Sequence, residues 1–482
     1  MTMSLINRIV TTFAMPIAAM LACPVFALAQ AAGPPKNGEQ PRTISEKKDL
    51  GSLLDLALAN SPSTRAAWFH AKAASGAITQ ARAAYYPKIA ASFEGGKDKW
   101  YTPAANGVDN FTRVQATTVL TIEYLLLDFG RRDADVKRTL ALFEAAGLGY
   151  ERKLQQTVFD VQRAYSIHEA ALWRLEATEA RLAAVRTLAE TVERELTAGL
   201  SAVPESLEAR KKVLEAEYEL ESAKMLVRTT LGVLCTACGL PANTRLQLAS
   251  ATTPPPTSGL RENADKLIAQ ALASRPDLAA RSADLRAREA ATKRARADFF
   301  PEIKLEGKYG YSAFGYEAKA GNSGGTYSED LNGYGGFLVA KWDLFDGFER
   351  RGRLKQRAEE ENQAREELEK ERLDVTLDVW TASNEVQSAA RRVDFAESLV
   401  ASTKEIYEST RAAYLTGIAD VSEYSKSTGE LAHARSVRAN AVAEYSISLA
   451  SLVFAIGSPV PASVKERKRP ARIERIAKPL AR

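Results

Sequence analysis

Thiol and imidazole side chains offer the most reactive chemistry in this 482-residue sequence. Cys235 and Cys238 form a C-x-x-C pair in LCTACGLP. In an oxidising compartment such a pair could be a disulfide or a redox couple. A helix is expected to end at the following Gly239-Leu240-Pro241, because glycine and proline are typical of helix ends. Two small buried side chains closing a helix are therefore the favoured interpretation.

The three histidines show no spacing that would make a site. His70, His168 and His433 are far apart, and each falls within a helical pattern. No cluster of His, Asp or Glu has the spacing of metal ligands, and no glycine-rich loop is suited to hold phosphate. We therefore expect a protein that is not an enzyme, with no metal site and no cofactor.

The first 29 residues resemble a secretion signal. Arg8 precedes a short apolar run, and Ala27-Leu28-Ala29 supplies a small-x-small cleavage site before Gln30. Cys23 leaves a lipid-anchored N-terminus open, although Met20 stands where leucine is usual. Segment 30–49 is expected to be a linker.

Charge and hydropathy limit how the mature chain can meet a membrane. No later segment has the 18 or more apolar residues of a transmembrane helix, so any spanning part must be a β-barrel. The net charge of +5 comes from the C-terminus, where 465–482 carries eight Lys/Arg and two Glu. After a signal peptide, a solvated disordered tail over 460–482 is favoured over nucleic-acid binding.

The chain contains a tandem repeat. ARAAYYPKI and ARADFFPEI place Pro87 and Pro301 214 residues apart, whereas the turn glycines Gly199 and Gly417 are 218 apart. One four-residue length difference after the prolines explains both offsets. Repeats are predicted over 50–242 and 261–459, joined by a Pro-rich linker over 243–260.

Each repeat begins with a helical pattern, over Leu53–Tyr86 and Ala264–Phe300, that a proline ends. Alternating patterns then predict β-hairpins over about 88–128 and 302–346. One face of these strands is apolar, which is typical of strands that face lipid, although a strand of a soluble β-sandwich can show the same alternation. The residues assigned to the lipid face are Leu120, Ile122, Tyr124, Leu126, Leu338, Ala340, Trp342 and Leu344.

A helix without proline follows each hairpin, from Gly130 to about Leu196 and from Gly347 to about Leu415. Some 68 residues extend roughly 100 Å at about 1.5 Å per residue. Shorter helices return over about Pro204–Cys235 and Val421–Phe454. The two short helices that flank each long helix add up to about its length. They are therefore expected to stack end to end beside it.

Four strands are too few to close a membrane barrel, whose smallest form has about eight. Open strand edges in lipid are forbidden by unpaired backbone groups, so several chains must contribute. Three copies give twelve strands. A periplasmic coiled-coil scaffold or adaptor without a channel would explain the helices, but not the matched apolar faces.

Together, the duplicated order, YYP and FFP, LFDGFERR and AYLTGIADVSEY resemble the TolC-like outer membrane factors, over about Leu50–Pro459. The resemblance implies a mainly α fold with a β-barrel portion: a homotrimer whose twelve-stranded outer membrane barrel continues into a twelve-helix periplasmic tunnel. It further implies the exit duct of an efflux pump or type I secretion system. Its partners would be a periplasmic adaptor, an inner membrane transporter of RND or ABC type, and outer membrane lipid. The cargo remains open.

The same resemblance implies a periplasmic entrance at the turns of Gly199 and Gly417. The acidic positions six residues after these glycines are Glu205 and Glu423, which would form carboxylate rings that favour cations. Lys426 departs from the pattern, where the family has a further acid. The alternative is that both glutamates are ordinary first-turn residues favoured by the helix dipole.

Overall fold

The computed structural model of the protein describes residues 43–104, 107–199, 201–248, 263–320 and 323–458. The predicted signal segment with Cys23, most of the Pro-rich linker and the basic tail lie outside this part. The helices are α1 (Leu50–Asn60), α2 (Pro62–Ala83), α3 (Arg131–Thr197), α4 (Val203–Ala237), α5 (Ala264–Ser274), α6 (Pro276–Ala297), α7 (Glu349–Leu415) and α8 (Val421–Ile456). The strands are β1 (Thr43–Lys48), β2 (Lys88–Ala104), β3 (Gly107–Leu127), β4 (Arg245–Leu248), β5 (Glu302–Ala320) and β6 (Ser323–Lys341).

The two long helices organise the rod. α3 and α7 have 67 residues each, which corresponds to about 100 Å. α1, α2 and α4 contact α3, while α5, α6 and α8 contact α7, so the shorter helices lie alongside the long one of their own repeat as predicted. The repeats meet where α6 and α8 pack against α3.

The prediction of one unbroken helix before each hairpin is wrong. The first turns at Ser61 and restarts at Pro62, and the second turns at Arg275 and restarts at Pro276. Proline is tolerated at a first helical position, but it disfavours the helical conformation in the residue before it. Ser61 Oγ also accepts a hydrogen bond from Thr64 N at 3.5 Å, which caps the new helix.

Each helix break packs against a glycine at the end of the same repeat. A Cβ on Gly239 would lie 2.9 Å from the Asn60 carbonyl, and one on Gly457 would lie 2.8 Å from Arg275 Cγ. Both glycines also have positive φ, 73° and 75°, which L side chains rarely adopt. The motif ALANSP therefore contacts ACGLP in the first repeat, and ALASRP contacts AIGSP in the second.

The long strands form one antiparallel sheet in the order β2-β3-β5-β6. Its register places Ile89 opposite Ile122, and Leu305 opposite Leu338, so the apolar positions share a face. β2 and β6 are the outer strands, each with one edge that no other strand of the described chain pairs.

Two further predictions about strands need correction. β6 ends at Lys341, so Trp342 and Leu344 lie beyond the strand rather than in it. The segments predicted as linkers contribute β1 and β4, which pair in parallel and bring together stretches about 200 residues apart in the chain. A four-residue strand has too little periodicity to be detected in a sequence.

Matching charged pairs fix the return from strand to long helix. Asp128 Oδ2 accepts hydrogen bonds from Arg132 N at 2.8 Å and Nε at 3.0 Å, and Arg132 also donates to Leu125 O at 2.7 Å. In the second repeat, Asp346 Oδ2 accepts hydrogen bonds from Arg350 N at 3.0 Å and from Arg350 Nε at 2.6 Å. Each carboxylate thereby satisfies a first-turn backbone N–H that the helix itself cannot pair.

At these junctions the chain passes from strand to long helix through two consecutive residues with positive φ. They are Phe129 and Gly130 in the first repeat, and Gly347 and Phe348 in the second. Phenylalanine and glycine thus exchange places between the copies. Phenylalanine in this region of φ is strained by roughly 1 to 2 kcal/mol, which the surrounding contacts must offset.

One helix qualifies as a membrane span by length and composition, contrary to the expectation from sequence. An 18-residue window in Val421–Ile456 has a mean hydropathy of 1.5, but 56% of it is buried within the chain. Tyr445, Leu452 and Ile456 of this helix belong to a core shared with α5, α6 and α7. Its apolar character is therefore accounted for by packing.

Candidate functional site

The two turns between long and returning helices are the region where sequence predicted an entrance. Gly199 and Gly417 lie in them with φ of 73° and 77°. The Gly199 N–H donates to Leu196 O at 3.0 Å, and the Gly417 N–H donates to Tyr414 O at 3.0 Å. At the second turn the Ile418 N–H also donates to Ala413 O at 2.9 Å. This bond requires a left-handed residue at Gly417, which glycine supplies without strain.

The predicted acidic residues lie in the first turns of the returning helices. Glu205 is exposed in α4, and its Oε2 accepts a hydrogen bond from Ser201 Oγ at 2.5 Å. Glu423 is exposed in α8, and its backbone N–H donates to the capping Asp420 Oδ1 at 2.7 Å. Both carboxylates are therefore near positive ends of helix dipoles. This position serves a carboxylate ring and an ordinary helix start equally well.

Lys426 is also exposed, with 77% of its side chain accessible. Its Nζ lies 4.0 Å from Glu430 Oε1, one turn further along α8. A pair at this distance and exposure is weak. The ammonium group therefore remains a positive charge one turn from Glu423.

Three tyrosines next to the turns, Tyr407, Tyr414 and Tyr424, form a cluster that was not predicted from the sequence. The Tyr424 ring stacks on Tyr414 at 5.3 Å and 10°, and on Tyr407 at 5.8 Å and 25°. Tyr424 is 8% exposed and packs with Leu188 and Val192 of α3. The cluster thus ties α7, α8 and α3 together. Its only signal in sequence is the seven-residue spacing of Tyr407 and Tyr414, which helix packing makes common.

Burial shields the hydroxyl groups of Tyr414 and Tyr424 from water and raises their pKa values. Burial, together with the hydrogen bond at 3.3 Å between the Tyr407 and Tyr424 hydroxyls, raises the pKa of Tyr424 to about 12. The pKa of Tyr414 is raised by burial and by the charges of Glu195 and Glu205. The Tyr414 hydroxyl is buried without a hydrogen-bond partner in the described chain. Glu205 therefore acts electrostatically on a group of the other repeat.

The remaining candidate residues do not form a reactive centre. Cys235 and Cys238 are free thiols with 0% exposure, and burial raises the pKa of Cys238 to about 12. They pack with Leu53, Val161 and Leu234, as the packing interpretation expected. His168 is buried and its Nδ1 lies 2.8 Å from Thr230 Oγ1, far from the exposed His70 and His433. No acidic, His or Cys group in the described residues could hold a metal.

At the other end of the rod, Pro87 and Pro301 directly precede β2 and β5. In the single chain, Leu120, Ile122, Tyr124 and Leu126 are 36 to 45% exposed, and Leu338 is 69% exposed. The opposite face pairs Lys88 with Glu123 and Thr121 with Lys308. The sheet therefore has one apolar and one charged face.

A family comparison matches most of the described chain. The sequence model of the family named outer membrane efflux protein matches residues 53–240 and 267–458. The chain belongs to this family. The two matched segments fall within the two repeats, and family membership together with the fold places the protein in the outer membrane, with its helices in the periplasm.

Two curated relatives share part of the sequence. Protein CyaE of Bordetella pertussis is 30% identical over 323 residues, covering 66% of this chain and 65% of CyaE. Outer membrane protein OprJ of Pseudomonas aeruginosa is 28% identical over 272 residues, covering 55% of each. The aligned region is less than two thirds of either relative.

Solved structures share the fold. The CmeC outer membrane channel of Campylobacter jejuni has a TM-score of 0.72 at 17% identity, covering 91% of this chain and 93% of CmeC. The open-state MtrE outer membrane channel of Neisseria gonorrhoeae has a TM-score of 0.64 at 18% identity, covering 85% and 88%. A membrane protein from Pseudomonas aeruginosa has a TM-score of 0.72 at 22% identity, and the match covers 89% of this chain and all of that protein's chain. The fold is thus that of outer membrane channels.

The tyrosine cluster predicts a pH dependence of the turns. Because the pKa of Tyr424 is raised from 10.0 to about 12, the stability that it contributes is complete below about pH 10 and is lost as pH rises through about 12. Tyr424→Phe keeps the ring and removes the ionisable group. We expect the variant to resist alkaline loosening of the turns better than the wild type, measured by hydrogen exchange.

Exposed Tyr86→Phe is the matched control, since Tyr86 is 70% exposed at the other end of the rod, and it should keep the wild-type profile. Identical profiles for wild type and Tyr424→Phe would show that ionisation of this cluster does not hold the turns.

Proposed function

We propose that three copies of the chain form a continuous outer membrane exit duct. The observation that carries this proposal is the pair of unpaired sheet edges on β2 and β6, 17 and 19 residues long. Unpaired backbone N–H and C=O groups cost several kcal/mol each in hydrocarbon. Pairing β2 of one protomer with β6 of the next removes every edge when the ring closes. Three four-stranded sheets then make a barrel of twelve strands.

The helices support the same assembly. α4 exposes an apolar row on the side of the first repeat, and α7 exposes another on the side of the second. Such rows on a rod of helices are typical of surfaces that another helix covers. A neighbouring protomer that brings α4 against α7 covers both. The rows are Leu207, Leu214, Tyr218 and Met225 on α4, and Leu373, Leu377, Trp380, Phe395 and Ile406 on α7.

The trimer determines which sheet face lines the channel. Its apolar face, with Leu120, Ile122 and Leu338, meets lipid, and the face with Lys88, Glu123 and Lys308 encloses the lumen. A membrane strand needs only about ten residues to cross the hydrocarbon. The strands of 17 to 21 residues therefore continue beyond it.

Twelve helices, four from each protomer at any level, would continue the lumen into the periplasm. The turns at Gly199 and Gly417 lie at the far end, where three copies of Glu205 and Glu423 surround the entrance. Rings of like charge concentrate counter-ions much better than scattered surface charges. This arrangement favours cations at the entrance, and Lys426 opposes it.

The duct works with partners that supply energy. The sequence has no glycine-rich loop for nucleotide phosphates, so an inner membrane transporter of RND or ABC type provides the driving force, and a periplasmic adaptor joins the two. The system is a tripartite efflux pump or a type I secretion system. Co-purification with one class of transporter distinguishes these, since both use the same duct.

Substitutions in β6 test the assignment of the faces. Leu338 and Phe337 are adjacent, and both side chains are more than half exposed in the single chain. Leu338→Arg places a charge in lipid, with an expected cost of roughly 2 to 4 kcal/mol near the bilayer centre. Phe337→Arg faces Glu306, its cross-strand neighbour, and should assemble. The amount of trimer in outer membrane fractions measures both, and equal loss would contradict the assigned faces.

Neutral substitutions test the entrance. Glu205→Gln and Glu423→Gln together should reduce cation preference and weaken block by multivalent cations, while Lys426→Ala should increase cation preference. Reversal potentials of single channels in planar bilayers under a salt gradient measure this. Glu208→Gln, one turn further along α4, is a control with a smaller expected effect. Reversal potentials unchanged in the double variant would leave both glutamates as helix-start residues.

A further inference from the structure

An aromatic cluster lies on the charged face of the sheet, close to its far end. Side chains on this face alternate with those on the apolar face, so Trp100 of β2 shares it with Lys88. Trp100 is paired with Phe111 of β3, and Arg113 is paired with Tyr316 of β5. Nearer the helices the same face is lined by charges. The far part of the wall therefore differs in chemistry from the near part.

All members of the cluster except Trp100 are linked by side-chain contacts across three strands. The ring centroids of Phe111 and Tyr316 are 5.4 Å apart, and those of Phe314 and Tyr316 are 6.0 Å apart. The Arg113 guanidinium lies over Phe314 at 6.0 Å and pairs with Asp98 at 2.8 Å. We call this set, Trp100, Phe111, Arg113, Phe314 and Tyr316 with Asp98, the aromatic belt.

The belt lies beyond the hydrocarbon part of the barrel. On the opposite face of β2, the apolar run of Ile89, Ala91 and Phe93 gives way to Lys97 and Lys99, which marks where that face leaves lipid. An aromatic at this level also recurs in the duplication, since Phe314 follows Pro301 at the spacing by which Trp100 follows Pro87. Both repeats thus place an aromatic ring on the inner wall.

The contacts indicate what the belt would bind. Asp98 neutralises Arg113, so the belt has little net charge of its own. Trp100 remains 58% exposed, and the face of an indole attracts cations more strongly than any other side-chain ring. Flat rings also stack on it in offset geometry.

We propose that the aromatic belt is a contact site for planar aromatic cations passing through the lumen. This proposal rests on the trimeric channel, in which three copies of the belt surround the path. A flat cationic solute leaves the charged part of the lumen and stacks on Trp100 before release. The belt thereby gives the duct a preference among small solutes that the charged wall alone would not provide.

Block of single channels in planar bilayers by ethidium, added on the side of the β-hairpin loops, tests the proposal. Ethidium is planar, aromatic and cationic, and tetraethylammonium supplies the same charge without a ring. We expect Trp100→Ala to raise the half-blocking ethidium concentration about fivefold, and Trp100→Phe to raise it less. Block by tetraethylammonium should weaken less, because that ion keeps the cation–π attraction but has no ring to stack on Trp100.

Tyr101→Ala is the matched control, because Tyr101 is the next residue and is 64% exposed on the opposite face. It should keep the wild-type block. Equal ethidium block in wild type and Trp100→Ala would contradict the proposed binding site without contradicting the channel. The same would follow if Tyr101→Ala weakened the block as much as Trp100→Ala. A wild-type protein that conducts no ions would overturn both proposals.

Discussion

Two rows of backbone N–H and C=O groups, along the outer edges of β2 and β6, are the constraint on which the assembly depends. Water can satisfy such groups at the edge of a soluble sheet, but hydrocarbon cannot. In the trimer that we propose, the edges of neighbouring copies pair and close the barrel. The charged inner face, the long helices and the turns far from the membrane all acquire their roles from that closure.

The duplication makes the closure geometrically simple. Each repeat supplies one hairpin and one long helix, and the same short contacts fix both: Asp128 with Arg132 and Asp346 with Arg350 at the strand-to-helix return, and a glycine against a helix break midway along the rod. These contacts use backbone and charge rather than large side chains. Both repeats therefore make the same two contacts, although Phe129-Gly130 in the first stands where Gly347-Phe348 stands in the second.

Much of this architecture could be predicted from the sequence, because prolines, glycines and the change of period from helix to strand are local signals. Pro87 and Pro301 lie directly before the strands, and both long helices end within a few residues of the expected positions. The helix breaks before Pro62 and Pro276 were missed, since Ala-rich patterns continue on both sides. The pairing of β1 with β4 and the stacking of Tyr424 between Tyr407 and Tyr414 depend on residues brought together only by the fold.

Disulfide trapping between β2 and β6 tests the closure most directly. Single cysteines would be placed at successive positions along each edge in a chain carrying Cys235→Ala and Cys238→Ala. Within one chain, β3 and β5 separate these edges by roughly 14 Å, too far for a disulfide. We predict bonds between protomers, giving linked species that end at three chains. Bonds confined to one chain, or a ladder that continues beyond three, would contradict the closed trimer.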